Sequence, residues 1–426
     1  MANRVRVKTI IMGGGQGSRL FPLTKSRCKP AVPIGSQYRL VDIAISNSIH
    51  SGFNQIYLLT QYHTRSLHRH ISQTYRFDPF DGGFVEILPA EQVNSRDHNW
   101  YEGTADAVRK NLDYFNLKDD DLVFILAGDH LYRMNFSKMV EAHLRTGAEV
   151  TVSGKILPCE SVRQFGVMEL SQDMRILSFV EKPNSDALLR RLAMTKEQSE
   201  RFRLHHSAIP QCVASMGNYL FRFSTLCRAL SGHETDFGRE VLPNLIRQNV
   251  GIYGYLFDGY WEDIGSVRSF FDANLSLTDI VPSFDFFDSE QPIFTKLRYL
   301  PASKVNGCTM EQVVIGAGCL IDRAFLRRCV IGIRSVIRQN SHLENVIMMG
   351  NGFFEKEHVR SAKVPCGIGK NCYIKNAILD KNVRIGDRVH LSPEGKSNGY
   401  VSNGCIVVDG IVCVPSDITI PDDFVF

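Results

Sequence analysis

Three stretches of this chain carry groups suited to handling phosphate. The first is Gly13-Gly14-Gly15-Gln16-Gly17-Ser18-Arg19-Leu20, with Lys29-Pro30 shortly after it. Four glycines leave a backbone without side-chain bulk, so peptide N–H groups can close around phosphate oxygens. Arg19 and Lys29 add fixed positive charge for the same oxygens. The other two stretches are acidic: Gly128-Asp129-His130-Leu131-Tyr132 and Tyr260-Trp261-Glu262-Asp263-Ile264-Gly265. Each follows a strand signal. Two carboxylates at strand ends can converge on one Mg²⁺, which takes one or two carboxylates together with phosphate oxygens. An isolated aspartate can equally cap a helix or a turn.

The glycine loop excludes two familiar nucleotide sites. A Walker A loop needs G-x-x-x-x-G-K-[ST], but Gly17 is followed by Ser18-Arg19. A dinucleotide fingerprint needs G-x-G-x-x-G and an acid about 20 residues on. Gly13, Gly15 and Gly17 have the wrong spacing, and Asp42 lies too far along.

Alternating strand and helix signals over 5–265 must position these groups. Thr9-Ile10-Ile11-Met12 leads into the glycine loop, and Leu122-Val123-Phe124-Ile125-Leu126-Ala127 leads into Asp129. Continuous apolar runs mark strands covered on both faces. Apolar residues at 105, 108, 112 and 115 predict a helix with Thr104 as its N-cap. Phe136 to Arg145 reads as a helix stopped by Gly147, and Arg239–Arg247 as another. The alternation predicts an α/β fold, a Rossmann-like mostly parallel sheet flanked by helices, with ligands beyond the carboxyl ends of the strands.

The character then changes. Residues 268–304, with Phe284-Asp285-Phe286-Phe287-Asp288 and scattered prolines, read as a connecting segment whose aromatics pack on a neighbouring domain. From 305 to 426, hexapeptides recur at Ile315-Gly316, Ile331-Gly332, Ile368-Gly369 and Ile385-Gly386. Six-residue repeats predict a parallel β-helix, each coil stacking its aliphatics on the next. The expected division is therefore 1–267, 268–304 and 305–426.

Composition narrows the function classes. Apolar content of 44% and charged content of 22% are those of a globular chain, and the net charge of +4 includes no basic run for nucleic acid. No apolar run reaches the ~18 residues of a membrane span. The N-terminus leads straight into a strand without a signal-peptide core, which predicts a cytoplasmic protein. The eleven cysteines form no CxxC pair, so reduced thiols are expected rather than a disulfide framework.

Gly13 to Pro33 resembles the nucleotidyltransferases that activate sugar 1-phosphates, whose pattern is GGGxGxRLxPLTxxRxKPAVP. The resemblance implies catalytic roles for Arg19, Lys29 and Asp129. It implies Mg²⁺ ligation by Asp129 and Asp263, and nucleotide phosphate contacts from Gly13, Gly14, Gly15 and Gly17. For the base it implies Gln61 and Gln92. Trp100-Tyr101-Glu102-Gly103-Thr104-Ala105-Asp106-Ala107 matches a further motif, which places Gly103 and Thr104 at the nucleotide and Tyr101 at the substrate. Phe179-Val180-Glu181-Lys182-Pro183 is similar to the sugar-phosphate motif, though a surface Glu–Lys pair before a proline is common without any ligand. With Gly166, Ser215 and Asp236 of Asp236-Phe237-Gly238, Glu181 and Lys182 complete the implied sugar side.

The whole chain looks like the cyanobacterial and plant type of glucose-1-phosphate adenylyltransferase. Tyr38-Arg39-Leu40-Val41-Asp42-Ile43, Phe270-Phe271-Asp272-Ala273-Asn274-Leu275 and the motifs above carry that likeness. It implies ATP and glucose 1-phosphate as substrates, a left-handed β-helix, a homotetramer, and a phosphorylated metabolite as effector. Arg27 and Arg39 are then candidate effector contacts, with a structural role the alternative for Arg39. Members activated by 3-phosphoglycerate carry a lysine near the C-terminus where this chain has Gly410. A non-catalytic regulatory subunit, an enzyme for another sugar nucleotide and an acyltransferase built on the hexapeptide helix are the competing readings.

Overall fold

A computed structural model describes residues 5–13, 15, 17–78, 80–90, 100–202, 209–355 and 362–426. Its N-terminal part is organised by a nine-stranded sheet. Four strands run parallel in the order Phe84–Pro89, Gln55–Thr60, Val7–Met12, Leu122–Ala127. Strand Leu122–Ala127 is held between Val7–Met12 and the antiparallel Gln211–Arg222, and its apolar run is buried on both faces. Met12 pairs with Ala127, so the glycine loop and Gly128-Asp129 leave the same sheet edge side by side. The chain order reverses at Val7–Met12, and such a switch point opens a crevice beyond the carboxyl ends.

Two predicted elements differ in detail. Helix Thr104–Arg109 is N-capped by Gly103, and Thr104 is its first helical residue. Gly103 is needed there because any Cβ would collide with the Thr235 carbonyl oxygen. The Thr104 hydroxyl instead accepts from the Phe237 N–H and approaches Asp236. The helix expected over 239–247 begins as a π-turn, Phe237–Val241, before helix Leu242–Arg247. Asp236 caps it by accepting the Gly238 and Arg239 N–H groups, each at 2.9 Å.

The expectation of reduced thiols fails for one pair. Cys159 and Cys212 form a disulfide. Strand Val150–Pro158 pairs antiparallel with Gln211–Arg222, placing Cys212 opposite Leu157, so sheet register brings together two cysteines that no local spacing motif connects.

The connecting segment packs as expected through Phe284 and Phe286, while Phe287 is exposed. Phe286 stacks on Tyr38 at 4.2 Å between ring centroids, and Phe284 is buried beside Tyr260. Beyond it, two faces of parallel strands stack coil on coil. One face includes Lys304–Asn306, Leu320–Asp322, Val336–Ile337, Gly367–Ile368, Arg384–Ile385 and Thr419–Ile420. The other runs through Thr309–Ile315, Phe325–Ile331, His342–Met348 and Tyr373–Leu379. The Ile-Gly repeats fall on both faces: Ile315 pairs with Ile331 on the second, Ile368 with Ile385 on the first. Two consecutive hairpins through Val401–Ser402, Cys405–Val408 and Ile411–Val414 extend the second face.

One apolar cluster joins the two parts, since Cys28, Leu40, Phe270 and Phe271 share it with Ile347, Met349, Ile378 and Cys413. Across the same joint Arg27 meets Asp380 at 2.8 Å, both buried. Among the described residues no helix is long and apolar enough to cross a membrane.

Candidate active site

Asp129 and Asp263 come together through a feature that no sequence pattern announces. Strand His130–Tyr132 pairs antiparallel with Trp261–Asp263 in a two-stranded ribbon, with Asp263 opposite His130 and Trp261 opposite Tyr132. The ribbon crosses the carboxyl edge of the main sheet and sets both acids on one side. Glu262, one residue along the strand, faces away, and burial, then Asp263 and Asp272, push its carboxyl pKa up. The ligand atoms of Asp129, His130 and Asp263 lie within 4.8 Å of one another.

The Lys29 ammonium sits between the carboxylates, 2.7 Å from Asp129 and 3.4 Å from Asp263. Burial opposes its charge, but the two acids outweigh burial and raise its pKa. Burial likewise disfavours the Asp129 carboxylate, and Lys29, His130 and Arg19 together hold its pKa below the ordinary value. A cation thus already occupies the space between the acids. Two oxygen ligands around a cation position, facing a phosphate loop, fit Mg²⁺.

Two cavities meet at Asp129. One, about 280 Å³, is lined by Gly15, Gly17, Arg19, Lys29 and Asp129. Gly17 takes φ +62 at the entry to the short helix Ser18–Leu20, a left-handed conformation that favours glycine and turns Arg19 back over the sheet edge. The other cavity, about 540 Å³, is lined by Gln61, Tyr62, Tyr101, Gly103, Thr104, Glu181, Tyr219 and Asp236 as well as Asp129 and His130. Its far end is acidic. Burial, then Asp236, raises the Glu181 pKa against the opposing pull of Lys182 and Arg239. The Tyr219 phenol, which the motifs did not single out, is held well above its ordinary pKa by burial, then Glu181 and Asp236.

The structure sorts the predicted contacts. Arg19, Lys29, Asp129, Asp263, Gly15, Gly17, Gln61, Gly103, Thr104, Tyr101, Glu181 and Asp236 gather around these cavities. The Gln61 amide nitrogen is buried there without a hydrogen-bond partner among the described residues. Lys182 stands beside Glu181, its Nζ 3.7 Å from that carboxylate, half-exposed and with φ +52. Three residues are set elsewhere. Gly13 donates its N–H to the Leu59 carbonyl at 2.7 Å, so it prolongs strand pairing instead of offering that N–H to phosphate. Gly166 is buried against the Phe179 ring and directly behind the Glu181 carboxylate, with which it pairs in the sheet, and the buried Ser215 accepts the Gly217 N–H; they stand behind the residues that line the cavity. Gly14 and Gln92 fall outside the described residues. The motif around His130 does not by itself imply a role for it; the ribbon register and its 3.5 Å approaches to Asp129 and Asp263 bring it to both acids.

A second basic site lies in the joint. A cavity of about 290 Å³ is lined by Arg39, Arg69, Lys296, Arg298, Arg334 and Lys381 together with Ser66, His70 and Gln73. Burial, then the neighbouring arginines, pushes Lys381 down to about 7. Burial lowers Lys296 and Arg298 as well. Arg39 reaches this cavity, whereas Arg27 is turned into the buried pair with Asp380.

A nucleotide-handling sheet edge followed by a β-helix is a defined combination. Residues 8–280 match the nucleotidyl transferase family, to which this chain belongs. Residues 298–425 match the GLGC left-handed parallel beta-helix domain. Together these matches are the architecture of glucose-1-phosphate adenylyltransferases.

Proposed function

We propose that this protein transfers AMP from ATP to glucose 1-phosphate, releasing pyrophosphate and forming ADP-glucose. The observation that carries this reading is the gathering of Arg19, Lys29, Asp129 and Asp263 at one carboxyl edge of one sheet. A sugar phosphate has its second pKa near ~6 and is largely dianionic at neutral pH, so its attack on the α-phosphorus needs no general base. The difficulty is bringing anions together, since two unit charges ~4 Å apart repel by roughly 4 kcal/mol at an effective dielectric of 20. Arg19 and Lys29 offset that repulsion and stabilise the charge that builds on the departing pyrophosphate. Asp129 and Asp263 hold Mg²⁺, which when bound supplies further positive charge at the phosphates. Lys182 takes the sugar phosphate, Glu181 and Asp236 accept from sugar hydroxyls, and the unpaired Gln61 amide faces the base.

Full-length protein with Mg²⁺, ATP and glucose 1-phosphate should release pyrophosphate, and Asp129→Asn should lower turnover by about a hundredfold or more. Four nucleoside triphosphates assayed against several sugar phosphates test the substrate assignment. Preference for another pair would move it to a different sugar nucleotide, and full turnover in Asp129→Asn would end it. A regulatory subunit would show negligible turnover alone; against that, Arg19, Lys29, Asp129, Lys182 and Asp263 are all retained.

The basic cavity around Arg39 and Lys381 suits a phosphorylated metabolite, since among the described residues no carboxylate lines it. The protein is read further as a homotetramer. Ile280, Val281, Phe287, Leu297 and Tyr299 on the connecting segment are exposed apolar side chains suited to subunit contact, and the mass in solution by light scattering tests this.

A further inference from the structure

His130 stands beside both acidic residues. Its Nε2 is 3.5 Å from Asp129 Oδ1 and 3.5 Å from Asp263 Oδ1. An imidazole so placed can act in two ways. It can offer a nitrogen lone pair to a divalent ion as a third ligand, or it can donate an N–H to the carboxylates and hold them.

Trp261 decides between the two. An indole N–H is a donor only. Trp261 Nε1–H donates to His130 Nδ1 at 3.3 Å, and the rings meet edge-on at an interplanar angle of 85°. The indole is itself wedged against Phe165, 4.9 Å away between ring centroids, and is buried. Nδ1 is therefore the acceptor, and the neutral ring carries its proton on Nε2. Nε2 is the nitrogen nearer the carboxylates, 3.5 Å from each, and a proton there leaves no Nε2 lone pair for a metal. The ribbon enforces the arrangement, because it sets Asp263 directly opposite His130 and puts Trp261 two residues earlier on the same strand.

We infer that His130 is a positioning residue. Its Nε2–H, oriented by Trp261, draws Asp129 and Asp263 into one pair and does not itself ligate the ion. The inference rests on the reading above that these two acids bind a divalent cation. At 3.5 Å to each carboxylate these approaches are longer than a formed hydrogen bond, so the imidazole orients the acids through the positive end of its N–H dipole, beside the Lys29 ammonium that sits between them. Without the imidazole, two like charges face each other with only Lys29 between them.

Two readouts test this on the full-length protein: Mn²⁺ binding followed by the electron paramagnetic resonance of free Mn²⁺, and the Mg²⁺ concentration giving half-maximal rate. His130→Ala should weaken both by about tenfold, as loss of a residue that orients metal ligands does, with kcat largely recovered at saturating metal. His130→Gln places an amide N–H₂ where Nε2 was and should come within about threefold of the unaltered protein, while His130→Asn, whose amide reaches only the Nδ1 position, should behave like alanine. Trp261→Phe should shift both readouts in the same direction by less. Glutamine as poor as alanine would mean a ligating lone pair and overturn the proposal, as would alanine indistinguishable from histidine. Asp129→Asn separates the two readings. Unchanged Mn²⁺ binding there defeats the carboxylate site itself. Lost binding there, with normal binding in His130→Ala, defeats only the role of His130. Should the alanine variant fail to fold, the glutamine and asparagine variants decide alone.

Discussion

Lys381 is an ammonium group set among guanidinium groups. Burial, then Arg39, Arg27 and Arg298, brings its pKa from 10.5 to about 7, with Asp380 opposing only in part. The folded protein therefore tends to lose a proton there that the unfolded chain keeps between pH 7 and 10.5. An anion in the cavity favours the charged form and takes that proton back. Anion binding is then strongest below pH 7 and should weaken by up to about tenfold per unit as pH rises above it. Sulfate tests this cleanly, because it stays doubly charged across the range. Calorimetric titrations at fixed ionic strength from pH 6.5 to 8.5 should show the decline, and Lys381→Arg should abolish it by keeping the charge. At this scale the sequence was a good guide to residue type and a poor one to surroundings. Arg27 and Arg39 both read as candidate effector contacts, with a structural role the alternative for Arg39, yet it is Arg27 that is buried against Asp380 and Arg39 that opens on the cavity. The distinction depends on a partner more than 350 residues away, which local spacing cannot reveal.

Helix Leu40–His50 links the basic cavity to the catalytic edge. At its start Asp42 accepts the Arg39 N–H and lies 2.6 Å from the buried His70 and 2.7 Å from both Tyr75 and Thr295 hydroxyls. Two turns on, Asn47 donates to the Tyr132 carbonyl at 3.0 Å and accepts the Met134 N–H at 3.4 Å. It thereby pins the ribbon strand that carries His130. Asn47→Ala strands a buried carbonyl and should cost about 1–3 kcal/mol of stability. Scanning calorimetry should show that loss, and turnover at a temperature where the variant is folded should fall as the ribbon loosens. Long apolar runs such as Leu122–Ala127 announced their strands, because burial on both faces leaves a continuous signature. The ribbon strands are only three residues each, too short for any periodicity. The two C-terminal hairpins carry their own sequence signal. Asn403-Gly404 and Asp409-Gly410 each place two residues at positive φ between paired strands, the chemistry of two-residue turns. That requirement also accounts for glycine at position 410.

Across the whole molecule the two parts are joined by a shared apolar cluster and one buried ion pair. Removing one member of such a pair leaves the other charge buried and uncompensated. Asp380→Asn should therefore cost about 3–5 kcal/mol, while the double change Arg27→Met with Asp380→Leu should recover most of it. Thermal unfolding of the three proteins distinguishes these outcomes, and a double variant no better than the single would remove the ion pair from the account. The division into a sheet and a β-helix was legible because each repeats its own pattern. The joint was not, since it is made by residues that look ordinary within either part.

Lys29 and Asp263 are separated by 234 positions and still share one cation-sized space. A nascent polypeptide emerging from the ribosome therefore has its glycine loop, Lys29 and Asp129 long before it has the second carboxylate, Asp263. Until the Trp261–Asp263 segment arrives, the growing chain offers triphosphate only a half-built cradle. A product terminated before Trp261 keeps Arg19, Lys29 and Asp129 but lacks the strand that sets Asp263 opposite His130.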